Sequence, residues 1–69
     1  MTPTSIFKGQ LAQLYYPDAS PTTALRWLNE DISRDSQLVE HLQRVGYSKS
    51  TRRLSRPMVV LIRDALGEP

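Results

Sequence analysis

The side chains with chemical potential divide into a sparse set suited to catalysis and a denser basic set. His41 is the only histidine, and Glu40 precedes it. On a helix, neighbouring side chains point about 100° apart, so the two form no acid–base dyad and His41 reads as a surface residue. Glu30, Asp31 and Asp35 gather three carboxylates within six residues. With no further ligand at suitable spacing, they read as a solvated helix end, and no metal is assigned. The serines and threonines have no general base beside them in a recognisable motif. Gly9, Gly46 and Gly67 stand apart and make no phosphate-cradling loop. The chain has no cysteine, which removes disulfides, thiolate zinc sites and a cysteine nucleophile. The expectation is a protein that is not an enzyme, with no catalytic residue and no cofactor.

The basic set is better organised. Lys49, Arg52, Arg53 and Arg56 place four cations in eight residues, with Arg44 and Arg63 on either side. Fixed cations of this kind contact phosphates and release counterions from a duplex. The formal net charge is only +2, but its distribution is uneven. Up to Gln43 three cations face five anions, and from Arg44 onward six cations face two anions. Such a split between halves points to an anionic partner. The plainer alternative is a solvated loop kept soluble by arginines. Thr22, Thr23, Arg26 and Asn29 form a second polar group: hydroxyls reach phosphates or bases, arginine pairs with guanine, and asparagine with adenine.

The elements that carry these residues follow from punctuation and period. Residues 1–5 have no apolar period and read as a flexible arm. Leu11, Ala12, Leu14 and Tyr15 fall at near-helical spacing between Lys8 and Tyr16. Pro17 to Pro21 ends that helix, and Ser20 with Pro21 starts the next as N-cap and first residue. From Pro21 to about Ser33, Ala24, Leu25, Leu28 and Ile32 form an apolar stripe, with Trp27 at its edge. Asp35 is a candidate cap for a third helix over 36–45, with Leu38, Val39, Leu42 and Val45 inward and Gly46 as its left-handed stop. Tyr47 to Leu54 is polar, basic and partly β-prone, open between a loop and a short two-stranded wing. Ser55 and Pro57 start a last helix carrying Met58, Val59, Ile62, Ala65 and Leu66, ended by Gly67.

No apolar run approaches the ~20 residues of a membrane span, and Met58 to Ile62 is the longest. No secretory signal is read, so a cytoplasmic location is expected. At 69 residues the chain is a single domain, 1–69, with a small core. The fold class expected is all-α: a compact bundle of about four short helices containing a helix-turn-helix-like pair.

Two resemblances bear on function. Lys8-Gly9-Gln10-Leu11-Ala12-Gln13-Leu14-Tyr15-Tyr16-Pro17-Asp18, then Ser20-Pro21, Ala24-Leu25 and Trp27-Leu28, match the front of a family of short gut-bacterial proteins of unknown function. Leu38, Leu42, Gly46-Tyr47, Val60-Leu61-Ile62 and Leu66-Gly67-Glu68-Pro69 match its rear. That resemblance implies a whole protein and transfers no activity. More loosely, Gly9-Gln10-Leu11-Ala12 followed by Ser20, Thr23 and Leu25-Arg26 is similar to MerR-type and excisionase-type winged helix-turn-helix proteins. The basic stretch from Tyr47 to Arg56 and the apolar helix after it resemble their wing and following helix. The turn departs from the pattern, because Tyr16-Pro17-Asp18 adds about three residues and alters the expected helix angle.

The leading expectation is a small accessory or regulatory protein that binds double-stranded DNA. Thr22, Thr23, Arg26 and Asn29 would face the major groove, and Lys49, Arg52, Arg53 and Arg56 would contact phosphates. The rival is a protein-interaction module built on Trp27, Tyr15, Tyr16, Tyr47 and the arginines, with no nucleic acid bound. Exposure of Trp27 with a tyrosine in one patch would favour the rival. Oligomeric state is not read from the sequence.

Overall fold

Ser20 and Pro21 open the longest helix of the protein, whose computed structural model describes residues 5–69. The elements in chain order are β1 (Ser5–Phe7), α1 (Lys8–Tyr15), α2 (Pro21–Arg34), α3 (Ser36–Arg44), β2 (Arg53–Ser55) and α4 (Arg56–Leu66). Four helices stand where periodicity places them, to within a residue or two at their ends. The flexible arm expected over 1–5 falls outside the described residues, except Ser5, which belongs to β1.

Local chemistry accounts for the helix ends. The Ser20 hydroxyl accepts the Thr23 backbone N–H at 3.3 Å, satisfying one of the amides that a helix start leaves free. Asp35 closes α2 and caps α3, its carboxylate accepting the Leu38 N–H at 3.1 Å. Gly46 ends α3 at φ +90°, which a residue with a Cβ adopts only under strain. Its N–H donates to the Gln43 carbonyl and that of Tyr47 to the Leu42 carbonyl, a Schellman closure with Tyr47 folded back over the core. Ser55 occupies the N-cap position of α4, but its hydroxyl makes no capping bond.

One core joins all the helices. Leu11 and Ala12 of α1 meet Ala24, Leu28 and Ile32 of α2, Leu38 and Leu42 of α3, and Met58, Val59 and Ile62 of α4. Tyr47 and Leu54 complete it from the segment between α3 and α4. Leu25, Val39 and Leu66 are half-buried at its margin. Val45, expected inward, is exposed, and so is Leu14 of the apolar group in α1. The inward stripe of α1 is buried Lys8, Leu11 and Ala12 with half-buried Tyr15, at i, i+3, i+4 and i+7, which turns Leu14 away from the core. Val45 is the residue at which α3 stops, so it leaves the helical face.

The segment 47–54 does not fold into a two-stranded wing of its own. Residues up to Arg52 form a loop, and β2 pairs antiparallel with β1 in the register Ser5↔Ser55, Ile6↔Leu54 and Phe7↔Arg53. Leu54 is buried between exposed Arg53 and half-buried Ser55, the alternation of a strand with one covered face. The bundle therefore carries a small sheet that ties its first described residues to the start of α4.

Candidate functional site

The apolar stripe of α2 fixes which of its other residues reach solvent. With Ala24, Leu28 and Ile32 turned inward, Leu25 and Asn29 lie half-buried on one flank, and Thr22 and Arg26 stand exposed beside them. That flank lines a cleft of about 760 Å³, closed opposite by Val39 and Gln43 of α3 and by Tyr47, Ser48 and Lys49. Its floor is apolar and its rim polar. A second cleft of about 490 Å³ shares Leu25, Asn29 and Lys49 with the first and continues along Phe7, Lys8, Gly9, Ser50, Thr51 and Arg52. The two form one concave surface between α2, the start of α1 and the loop after α3.

The loop is held from both ends. Thr51 donates its N–H to the Ser48 carbonyl at 3.1 Å, and the Thr51 hydroxyl accepts the Ser48 N–H at 2.9 Å. At the far end the Lys8 N–H donates to the Arg52 carbonyl at 2.6 Å, continuing the β1–β2 ladder into α1. This non-local pairing sets the basic loop beside α2.

Of the residues expected to contact DNA, Thr22, Arg26, Asn29, Lys49 and Arg52 share this surface. Thr23, Arg53 and Arg56 are not among the residues lining the two clefts. The Thr23 hydroxyl accepts from Ser20 at 2.9 Å and is engaged in the cap of α2. The Arg53 guanidinium lies 5.4 Å from the Phe7 ring centroid, over its face. Arg56 is exposed at the first position of α4.

Two residues of this region went unread as functional in the sequence. Lys8 is only 3% exposed. Its ammonium donates to the Tyr47 hydroxyl and lies 4.7 Å from the Tyr47 ring centroid. Burial holds the Lys8 amine below its ordinary range and pushes the Tyr47 phenol above its own. Among the described residues Lys8, Lys49 and Arg52 make no ion pair; the bridges are Arg34–Asp31, Arg44–Glu40 and Arg63–Glu68. The signal for Lys8 was its place in the i, i+3, i+4, i+7 stripe of α1. Tyr47 had its own signal in the glycine before it, since the residue after a left-handed glycine commonly folds back on the helix.

The carboxylates near α2 are largely turned from the concave surface. Asp31 accepts a hydrogen bond from the Tyr16 hydroxyl and sits 3.9 Å from Arg34, about 200° around the helix from Asn29. That bond and partial burial raise the Tyr16 phenol above its ordinary range. Glu30 alone of the three reaches the rim of the larger cleft. On the Asp31 side of α2, Trp27 is 43% exposed and meets Tyr16 edge to face, with centroids 5.2 Å apart. His41 is exposed on α3. Among the described residues no three of His, Cys, Asp or Glu gather into a group that would hold a metal ion. No described helix is long and apolar enough to cross a membrane.

Comparison with known proteins gives a family and no activity. The family model described as "Domain of unknown function (DUF4248)" matches residues 4–69, and the chain belongs to that family. No curated protein and no solved structure matches it.

Proposed function

We propose that this member of a family without an assigned activity is a double-stranded DNA-binding accessory protein of helix-turn-helix type. One observation carries the proposal: Thr22, Arg26 and Asn29 of α2 share a concave surface with Lys49 and Arg52, which have no carboxylate partner among the described residues. At the larger cleft Arg26, Arg34 and Lys49 outnumber Glu30, the smaller cleft has cations and no carboxylate, and such concave surfaces focus their field on the opposite charge. In this arrangement the first half of α2 enters the major groove, Arg26 offers a paired donor fork to guanine and Asn29 a donor–acceptor pair to adenine. Lys49 and Arg52 hold phosphates beside it.

The join between α1 and α2 supports the proposal. The added residues of the turn are not slack, since the Gln13 side-chain amide donates to the Ala19 carbonyl at 2.9 Å and the Ala19 N–H to the Tyr16 carbonyl at 3.2 Å. A rigid connection of this kind would present α2 at a fixed angle. The protein then acts by binding and not as an enzyme, in the cytoplasm of a bacterial cell.

Fluorescence anisotropy with a random-sequence duplex between ~50 and ~200 mM salt tests the proposal, because phosphate contacts make log affinity fall linearly with log salt. No binding at the lowest salt contradicts it. A second reading, a protein-interaction module, draws on the exposed Trp27 packed against Tyr16. It predicts a partner whose binding is lost in Trp27→Ala.

A further inference from the structure

The smaller cleft has a composition unlike the larger one. Its lining includes Lys8, Lys49 and Arg52 and no carboxylate, whereas Glu30 stands at the rim of the larger cleft. Asn29, Ser50 and Thr51 add neutral donors. Lys8 is the unusual member. A buried ammonium is stable in a protein when a carboxylate or several acceptors surround it. Among the described residues Lys8 has the Tyr47 hydroxyl and ring and no anion. Lys8 lines the same cleft as Lys49 and Arg52. A concave site lined by cations and by no carboxylate favours an anion.

We propose that this cleft is a seat for one phosphoryl group, held at the surface by Lys49 and Arg52. Planar and point-charge donors together suit a tetrahedral oxyanion. The cleft exceeds what a lone phosphate fills, so a phosphate carried on a nucleotide or a nucleic-acid backbone fits better than a free ion. The seat deepens the DNA-binding proposal and rests on it for the source of the phosphate. Duplex DNA would lie with α2 in its major groove and one backbone phosphate anchored here, which fixes register without reading sequence.

The test is an amide-shift titration of the full chain by NMR with inorganic phosphate, replacing chloride at constant ionic strength. The seat predicts saturable shifts at residues 8–9, 29 and 49–52. It also predicts a loss of about tenfold or more in phosphate affinity in Lys49→Ala/Arg52→Ala, whose exposed positions leave folding intact. Phosphate shifts no different from those of chloride, or unchanged affinity in that variant, would overturn it. A short duplex supplies the second arm. If phosphate binds the cleft and the duplex leaves those amides unmoved, the seat stands with a free nucleotide as its ligand, and DNA binding falls. If the duplex binds through α2 and neither ligand moves the cleft amides, the seat falls and DNA binding stands.

Discussion

Lys8 and Tyr47 invite a double-mutant cycle. Desolvating an ammonium costs several kcal/mol even after relaxation. Against this stand a hydrogen bond to a charged group, about 1.5–3 kcal/mol, and a cation–π contact of roughly 0.5–2 kcal/mol. The downward shift of the Lys8 amine, caused by burial, says that desolvation wins. Tyr47→Phe removes the acceptor and leaves the charge buried alone, so it should cost about 1–3 kcal/mol. Lys8→Met/Tyr47→Phe removes both polar groups and keeps their volume, so it should recover that loss and add about 1 kcal/mol over wild type. For a domain of this size that gain raises Tm by roughly 4–8 °C. The pH dependence follows with a definite sign. The folded state binds fewer protons at Lys8 than the unfolded chain, so wild-type stability rises as pH climbs from the lowered folded pKa toward 10.5. Tyr47 acts oppositely, its raised pKa withdrawing stability as pH passes above 10.0. The double variant should lose the Lys8 rise and the Tyr47 share of the decline, keeping the decline that the raised phenols of Tyr15 and Tyr16 contribute. Thermal and urea unfolding followed by circular dichroism from about pH 7 to about pH 11 would measure all four corners. A double variant less stable than Tyr47→Phe would refute the reasoning, since the buried charge would then be a net stabilising element.

Other expectations concern the scaffold and the exposed aromatic pair. Ser20→Ala should cost about 1 kcal/mol through the lost cap of α2, seen as a lower urea midpoint at unchanged m-value. Gly46→Ala meets nothing within 4 Å but must hold φ +90°, so a loss of roughly 1–2 kcal/mol from backbone strain alone is expected, and an unchanged midpoint would contradict it. Trp27→Ala should leave duplex affinity within about twofold of wild type, because the ring lies on the flank of α2 away from the basic loop; a large loss in the anisotropy assay would place Trp27 in the DNA interface.

Much of the fold was legible because its signals are local. Ser20 with Pro21, Asp35 and Gly46 each act within a few residues, and the helices begin and end where those side chains require. The β1–β2 pairing was not legible. Its strands are three residues each, too short for a period, and are joined only through the tertiary fold. Which of the apolar residues of α1 face the core was not legible either. Lys8 was read only as a charge, when its long stem fills the first position of the α1 stripe. The candidate site was legible in two separate pieces, the polar face of α2 and the basic run after α3. Their juxtaposition was not, since it depends on the ladder that carries Arg52 to the start of α1. Arg53 and Arg56 read as part of one run with Lys49 and Arg52, but strand and helix geometry send them elsewhere.

The most direct test of the central claim is the salt dependence of duplex binding by wild type and by Lys49→Ala/Arg52→Ala. Each phosphate contact contributes about 0.9 to the slope of log affinity against log salt, so removing two should flatten it by roughly 1.8 and weaken binding to all sequences alike. A wild-type protein with no measurable affinity at ~50 mM salt, or a variant with the wild-type slope, would contradict the account.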